Sequence, residues 1–263
     1  MPRPRDLSAE VRGSGLRLLR GGQGSPLLFL HGADGPTGWL PVLERLAGSF
    51  EVIAPDHPSF GRSPTPPWLQ AIDDLAYFYL DYLAQEKLSG VHLVGFSIGG
   101  WIAMELAVRS TQRIGSLTLI GSAGIRVKGQ PPADMFVMDR AEYARALYAD
   151  PQLIDRVLAG QPTAQQADQL IGDRVAAARL CWQPRLFNPR LEPWLHRIDV
   201  PTRILWGGAD RMIPAAYAGA LRALIPGATS RVVPEAGHAL HVERPDLVAG
   251  DILEFLNAGG VRS

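Results

Sequence analysis

A serine flanked by glycines is the residue in this 263-residue sequence that is best suited to nucleophilic chemistry. Gly95-Phe96-Ser97-Ile98-Gly99 fits the pattern G-x-S-x-G and follows a short apolar run that ends at Val94. In this pattern the serine occupies a tight turn between a strand and a helix, so that its hydroxyl projects from the edge of a sheet. Side chains at the two glycine positions would collide in such a turn. The pattern therefore predicts that Ser97 is a nucleophile.

A serine hydroxyl needs a base, and the base needs a carboxylate that fixes its tautomer. His238 follows the strand-like residues 230–233, and Asp210 follows the strand-like residues 204–206. If the sheet is parallel, both side chains lie at the same sheet edge as Ser97. The chain order Ser97, Asp210, His238 is the order expected around a G-x-S-x-G serine. We therefore predict His238 as the base and Asp210 as the acid that orients it.

Acyl transfer also requires backbone N–H groups that bind the developing oxyanion. Ile98, the residue after the nucleophile, is predicted to supply one of them. The second is expected from the loop after the apolar residues 27–30, where Ala33 is the first choice and Asp34 the second. The helix that begins after Ser97 directs its N-terminal dipole at the same negative charge.

Other histidines and acids have simpler structural interpretations. His92 lies inside a strand-like run and is expected to be packed or hydrogen-bonded in place. His241 follows His238 by three residues, but no acid completes a recognisable ligand motif, so no metal site is predicted. Asp56 precedes the serine in the chain and is expected to brace the turn formed by residues 58–63.

Short apolar runs alternate with helical patterns along most of the chain. Runs closed by glycine or proline predict buried parallel strands; they cover residues 26–30, 52–54, 91–94, 117–120 and 203–206. Apolar residues at helical spacing predict helices; they occur in residues 72–85, 101–108 and 245–256. This alternation predicts an α/β fold with a mostly parallel sheet and helices on both faces.

Residues 126–195 interrupt the alternation. They contain helical patterns at 139–148, 151–159 and 163–180 and no convincing strand, which predicts a helical insertion. Within it, Trp182, Phe136 and Met138 are predicted to bind substrate in an apolar pocket, with Met135 and Leu180 as further candidates. The alternative is that these side chains form the core of the insertion itself.

Composition restricts the class of protein. Hydrophobic residues make up 46% and charged residues 20%, as in soluble globular proteins. The 26 basic side chains balance 26 acidic ones, which gives no electrostatic footprint for nucleic acid or an anionic membrane. No apolar run approaches the ~20 residues of a membrane span, and no signal-peptide pattern follows Met1. We therefore expect a cytoplasmic protein with a small-molecule substrate, no nucleic-acid or membrane partner and no cofactor.

The single cysteine, Cys181, cannot form an internal disulfide and is expected to be a small buried hydrophobe. The sequence leaves the oligomeric state open.

The chain resembles the α/β-hydrolase superfamily over nearly all of its predicted core. The matching segments are His31-Gly32, Pro55-Asp56-His57-Pro58-Ser59-Phe60-Gly61-Arg62-Ser63, Gly95-Phe96-Ser97-Ile98-Gly99-Gly100, Leu205-Trp206-Gly207-Gly208-Ala209-Asp210, and Gly237-His238 with Glu243-Arg244-Pro245. The resemblance implies an eight-stranded, mostly parallel sheet with a helical cap inserted after the sixth strand. Residues 1–125 and 196–263 would form the core, and residues 126–195 the cap.

The same resemblance implies triad positions for Ser97, Asp210 and His238, and oxyanion positions for Ala33 and Ile98. It also narrows the chemistry, because haloalkane dehalogenases and epoxide hydrolases of this superfamily typically carry aspartate at the position of Ser97. We therefore expect a serine hydrolase that cleaves carboxylic esters of small, largely apolar substrates through an acyl-enzyme.

Three alternatives remain open at this point. Gly35-Pro36-Thr37-Gly38-Trp39 and Asn188-Pro189-Arg190 resemble the meta-cleavage C–C bond hydrolases, whose substrate is a ketone, although these commonly have tryptophan where this chain has Ala239. A cofactor-free perhydrolase would share the triad. A hydrolase-like protein that binds a small molecule without turning it over is the alternative outside enzymes.

Overall fold

One eight-stranded sheet lies at the centre of the fold. The computed structural model describes residues 4–259. The strands are β1 (Arg5–Val11), β2 (Ser14–Gly21), β3 (Pro26–Leu30), β4 (Glu51–Pro55), β5 (Val91–Phe96), β6 (Ile114–Ile120), β7 (Thr202–Gly207) and β8 (Thr229–Val233). They are ordered β1-β2-β4-β3-β5-β6-β7-β8. The pairs β1–β2 and β2–β4 are antiparallel and the others parallel, so the predicted mostly parallel, eight-stranded sheet is confirmed.

Helices cover both faces of this sheet. They are α1 (Pro41–Leu46), α2 (Ile72–Gln85), α3 (Ile98–Arg109), α4 (Arg140–Leu147), α5 (Pro151–Ala159), α6 (Ala164–Cys181), α7 (Ala216–Leu224), α8 (Leu240–Glu243) and α9 (Pro245–Asn257). Apolar side chains of α2, α3 and α7 belong to one hydrophobic cluster, and those of α1, α8 and α9 belong to a second. The predicted packing of helices on both faces is therefore confirmed.

Strand β3 shows why the apolar runs become central strands. Leu28 and Leu30 pack in the first hydrophobic cluster, whereas Leu27 and Phe29 pack in the second. Successive side chains of a strand point to opposite faces, so a strand between two helical layers must be apolar at every position.

The apolar runs do not predict β1 and β2. In β2 buried positions alternate with half-buried ones from Ser14 to Leu19, and in β1 half-buried positions alternate with exposed ones from Leu7 to Glu10. The two strands form an antiparallel hairpin at the edge of the sheet. An edge hairpin with one covered face needs an apolar residue only at every second position, so it contains no continuous apolar run.

The helical insertion lies between β6 and β7 and contains α4, α5, α6 and a 3-10 turn at Glu192–Arg197. Each of its three α-helices begins with a side-chain cap that the sequence supplies. Asp139, Asp150 and Thr163 accept hydrogen bonds from the amides of Glu142, Gln152 and Gln166, respectively. Such caps satisfy amides that have no partner inside the helix. The helices agree with the predicted stretches, and the interpretation of residues 126–195 as a separate cap stays a prediction.

Among residues 4–259, no helix is long and apolar enough to cross a membrane. Residues 1–3, which begin the segment without a signal-peptide pattern, lie outside the described part of the chain, as do residues 260–263 of the predicted core.

Candidate active site

Three predicted site residues lie just beyond the carboxyl ends of parallel strands. Ser97 follows β5 directly, Asp210 is three residues past the end of β7, and His238 is five residues past the end of β8. The parallel register brings the ends of β5, β6, β7 and β8 to one edge of the sheet. In open sheets of this kind, ligands bind at this edge.

The turn at Ser97 has the strained geometry that a nucleophile turn requires. Ser97 has φ +54° and ψ −116°, a conformation that costs a non-glycine residue about 1–3 kcal/mol. Its amide donates to the carbonyl of Ile120 at 2.9 Å, and its carbonyl accepts from the amides of Gly100, Trp101 and Ala123. These hydrogen bonds hold the turn in a backbone conformation that serine rarely adopts.

Glycines on both sides of Ser97 are required by close backbone contacts. A Cβ on Gly95 would overlap the carbonyl oxygen of Gly99, and a Cβ on Gly99 would overlap the carbonyl oxygen of Leu30. Because both obstacles are backbone atoms, no side-chain movement would relieve the overlap. The collision expected from the sequence pattern is confirmed.

Ser97, His238 and Asp210 form a continuous chain of hydrogen bonds. Ser97 Oγ lies 3.1 Å from His238 Nε2, and His238 Nδ1 lies 2.8 Å from Asp210 Oδ2. The second carboxylate oxygen, Oδ1, accepts from the amides of Met212 and Ile213, both at 2.8 Å. The carboxylate is therefore fixed, and His238 donates to it from Nδ1. Nε2 is then free to accept the hydroxyl proton of Ser97.

Backbone amides beside Ser97 are available for an anion. Within residues 4–259, neither the Ala33 nor the Ile98 amide donates a hydrogen bond to another residue, although both residues are buried. Buried amides without a partner are rare in folded proteins and call for a functional or solvent partner. The Asp34 amide is free in the same sense, so Ala33 as the second oxyanion donor stays a prediction.

Two buried histidines support the loop that carries Ala33. His31 Nε2 accepts from the amide of His57 at 3.0 Å, and His57 Nδ1 lies 2.5 Å from the hydroxyl of Tyr79. His31 Nδ1 donates to the carbonyl of Gly32 at 2.7 Å, so each ring is used as a neutral imidazole. Burial lowers the pKa of His31 to about 4 and that of His57 well below its usual value. No motif in the sequence indicates this role of His57, because its partners are 26 and 22 residues away in the chain.

The loop of His238 is tied to the helical insertion by Glu243. One oxygen of this carboxylate accepts from the amides of Ala149 and Asp150 at 2.7 and 2.8 Å, and the other accepts from the amide of Gly237. The Ala239 amide also donates to the carbonyl of Leu147 at 2.9 Å. The connection between α4 and α5 is thereby fixed against the residues that flank His238.

A cavity of about 10 Å³ lies beside Ser97 and has room for about one water molecule. Its lining is Ala33, Asp34, Phe96, Ser97, Met135, Tyr143, Leu147, Leu186, Met212, Ile213 and His238. A larger cavity of about 230 Å³ lies next to His31 and is lined by neither Ser97 nor His238. The hydrogen-bonded chain places the candidate chemistry in the smaller cavity, whose wall is mainly apolar.

The predicted substrate-binding side chains are not brought to this cavity. Among the described residues that line it, only Met135 was a candidate, and Trp182, Phe136 and Met138 are absent. The Trp182 side chain is 47% exposed, and its ring packs on that of Phe136 with centroids 5.4 Å apart. Leu180 is buried in the hydrophobic cluster. Substrate contact by Trp182, Phe136 and Met138 therefore gains no support from this geometry and stays a prediction.

The simpler interpretations of His92, Asp56 and Cys181 agree with the structure. His92 Nδ1 lies 3.0 Å from the hydroxyl of Ser116, and Asp56 accepts from the Arg62 amide at 3.0 Å, as expected for a brace of that turn. Cys181 is fully buried, which raises the pKa of its thiol. His241 packs on Phe96 with ring centroids 4.2 Å apart. Within residues 4–259, no cluster of three or more histidine, cysteine or acidic side chains could hold a metal ion.

Known proteins resemble this chain in sequence and in overall fold. The sequence profile described as "Alpha/beta hydrolase family" matches residues 27–251. A dihydrolipoyllysine-residue acetyltransferase component of an acetoin cleaving system from Cupriavidus necator is 31% identical over 90% of this chain. The chain spans 65% of the length of that relative.

Two further relatives match over most of their length. The 2-hydroxymuconate semialdehyde hydrolase of Pseudomonas sp. strain CF600 is 30% identical over 95% of this chain and 94% of its own. The crystal structure of a membrane phospholipase A, a bacterial virulence factor, superposes with a TM-score of 0.79 at 25% identity and covers 97% of this chain and 86% of its own.

Proposed function

We propose, from the premise that this chain belongs to the alpha/beta hydrolase family, that it hydrolyses carboxylic esters of small, largely apolar substrates through an acyl-enzyme. The observation that carries the proposal is the hydrogen-bonded chain from Ser97 through His238 to Asp210, with Ser97 in its strained turn. A base within hydrogen-bond distance of a serine hydroxyl, itself oriented by a carboxylate, is the arrangement that activates serine as a nucleophile.

The reaction proceeds in two halves. Ser97 Oγ attacks the ester carbonyl carbon while His238 Nε2 takes the hydroxyl proton. The carbon–oxygen bond to the alcohol then breaks, and His238 delivers the proton to the departing oxygen. Water repeats these steps on the acyl-enzyme: His238 takes a proton from the water, the bond to Ser97 breaks, and the acid leaves. The proton returns to Ser97 Oγ.

The free amides of Ala33 and Ile98 supply oxyanion stabilisation in this scheme. The amide of Ile98 also belongs to the first turn of α3, whose dipole favours negative charge at its N-terminus. By analogy with other enzymes, one such donor contributes roughly 3 kcal/mol to the stabilisation of the transition state.

The small cavity sets a condition for substrate entry. A volume of about 10 Å³ does not admit an ester, so part of its wall must move. Met135 and Leu186 line the cavity from the parts of the insertion before α4 and after α6, whereas the nucleophile turn and the connection between α4 and α5 are held by hydrogen bonds. We therefore infer that the insertion acts as the cap and that displacement of these two side chains opens the site.

Hydrolysis of p-nitrophenyl acetate and butyrate by the unaltered protein and by Ser97→Ala tests the proposal. We expect turnover by the former and at least a ~10³-fold loss in the latter, because the nucleophile is removed. Ser116→Ala, another buried serine, is the matched control and should retain activity. Equal activity with and without the Ser97 hydroxyl would exclude Ser97 as nucleophile. An inactive protein that binds small molecules would favour the non-catalytic alternative.

C–C bond hydrolysis is the second candidate, and the 30% identity to a 2-hydroxymuconate semialdehyde hydrolase favours it. Against it, the cavity wall carries the carboxyl of Asp34 and no lysine or arginine among its described residues. A dienoate substrate carries its own carboxylate, which Asp34 would repel. Loss of colour from a meta-cleavage dienoate, without hydrolysis of p-nitrophenyl esters, would favour this candidate over ester hydrolysis.

A further inference from the structure

Asp34 and Tyr143 form a polar pair in the wall of the cavity beside Ser97. Asp34 follows Ala33 in the loop after β3, and Tyr143 lies on α4 in the helical insertion. The Tyr143 hydroxyl donates to Asp34 Oδ1 at 2.5 Å. Both side chains line the same cavity as Ser97 and His238. The hydrolytic steps use neither side chain, so their presence in a mainly apolar wall needs another explanation.

A carboxyl and a hydroxyl in a mainly apolar wall reduce the stability of the fold unless they are hydrogen-bonded. Burial raises the pKa of the Asp34 carboxyl, and the hydrogen bond from Tyr143 and the charge of Arg174 oppose that effect. The Arg174 guanidinium stacks over the Tyr143 ring, with 4.6 Å from its carbon to the ring centroid. A carboxyl in an apolar wall destabilises a fold unless a partner satisfies it. An apolar residue would fill the same place without that cost.

Asp34 retains capacity for one more partner. Oδ1 receives the Tyr143 hydroxyl, but Oδ2 accepts no hydrogen bond from any other residue of the described chain. A carboxylate oxygen only accepts, so its complement is a hydrogen-bond donor. An anionic group would be repelled at this position.

We propose that Asp34, held by Tyr143, selects substrates that carry a neutral hydroxyl within a few bonds of the reacting carbonyl. The distance follows from the loop, because Asp34 is adjacent to Ala33, whose amide is assigned to the oxyanion, and neighbouring Cα atoms are about 3.8 Å apart. The inference rests on the proposed ester hydrolysis and names the substrate class for it. Sites built to bond a hydroxyl discriminate against its absence more strongly than apolar pockets discriminate between methylenes.

Two esters that differ by one hydroxyl test this selection: p-nitrophenyl butyrate and p-nitrophenyl 3-hydroxybutyrate. Each value of kcat/KM is divided by the rate of hydroxide-catalysed hydrolysis of the same ester, which removes the difference in intrinsic reactivity. We expect the unaltered protein to prefer the hydroxylated ester by at least ~10-fold. The preference is a ratio measured in one protein, so a folding defect that lowers both rates does not change it.

Substitutions then locate the preference. Asp34→Ala should reduce the ratio to about one, and Tyr143→Phe should reduce it less, because Asp34 remains but is less firmly held. Tyr82→Phe is the matched control, since Tyr82 is a buried tyrosine of α2 that does not line the cavity. Its ratio should equal that of the unaltered protein.

The outcomes separate this inference from the proposed function. Equal rates for the two esters in the unaltered protein, or an unchanged ratio in Asp34→Ala, would overturn the inference while ester hydrolysis stands. If neither ester is turned over, the proposed function fails. Calorimetric binding of the two esters to Ser97→Ala then decides the inference. The inference is supported if Ser97→Ala binds the hydroxylated ester more tightly and the added substitution Asp34→Ala abolishes this difference. Equal or undetectable binding of the two esters overturns the inference.

Discussion

The carboxyl edge of the sheet and the outer helix α5 of the insertion differ in how firmly their residues are fixed. At the edge, Ser97, Asp210 and His238 are buried, and each is held by hydrogen bonds from residues distant in sequence. In α5 no residue is buried, and its apolar side chains are only half-covered. Both regions nevertheless have clear local sequence signals.

The difference shows which sequence signals define a unique arrangement of atoms and which define only a type of element. The α5 signals are a cap at Asp150, a proline in the first turn and an amphipathic pattern, and together they specify a helix but not a unique contact. The nucleophile turn is specified by Gly95 and Gly99, because its backbone packs so closely that a Cβ at either position would overlap another backbone atom. Local stability should therefore be high at the sheet edge and low in α5.

The largest effect is expected from a pair of glycine substitutions. Gly95→Ala places a Cβ against backbone atoms of Gly99 and Gly100, and we expect it to reduce the free energy of unfolding by about 3 kcal/mol and to abolish activity. Gly172→Ala, in the middle of α6, meets no atom within 4 Å and should stabilise the protein by about 0.5–1 kcal/mol. Denaturant unfolding measures the stability of the two variants, and ester hydrolysis measures their activity. Similar losses in the two variants would contradict the comparison.

The next effect concerns the buried histidines that support the oxyanion loop. Burial lowers the pKa of His31 to about 4 in the folded state, so the unfolded chain binds the proton more readily. The free energy of unfolding should be constant above pH ~6.5 and fall by about 3 kcal/mol from this group as the pH decreases to about 4. Burial also lowers the pKa of His57 and His241, which adds to the same fall.

Denaturant unfolding between pH 4 and 8 tests this dependence on acid. His31→Gln should reduce the slope between pH 6.5 and 4, whatever it does to stability at neutral pH. His196→Gln removes an exposed histidine and is the control that should leave the slope unchanged. An unaltered slope in His31→Gln would mean that His31 is not the group that titrates.

The smallest effect is expected in α5. Ile154→Ala removes a half-buried side chain and should lower the free energy of unfolding by about 0.5 kcal/mol, whereas Ile204→Ala in β7 leaves a cavity in the core and should cost about 2–5 kcal/mol. Thermal unfolding of the two variants measures both losses of stability. A large loss in Ile154→Ala would show that α5 is covered by a partner in solution.

Prediction from sequence succeeded where the signal is local. The apolar runs locate the central strands, and the apolar spacing locates α2, α3 and the three helices of the insertion. It failed for β1 and β2, whose alternating pattern contains no continuous apolar run. Substrate contact by Trp182, Phe136 and Met138 stays a prediction, because residue type and spacing alone do not show which cavity a side chain reaches.

The sequence by itself determined the type of each central element, the strained turn at Ser97 and the order of the candidate triad, because these depend on residues that are close in the chain. Only the tertiary structure decided which side chains meet. Tyr143 bonds Asp34 across 109 residues, and Glu243 bonds the Ala149 amide across 94. Such contacts depend on how the insertion rests on the sheet edge. Packing of whole elements sets that arrangement, and no spacing within one sequence records it.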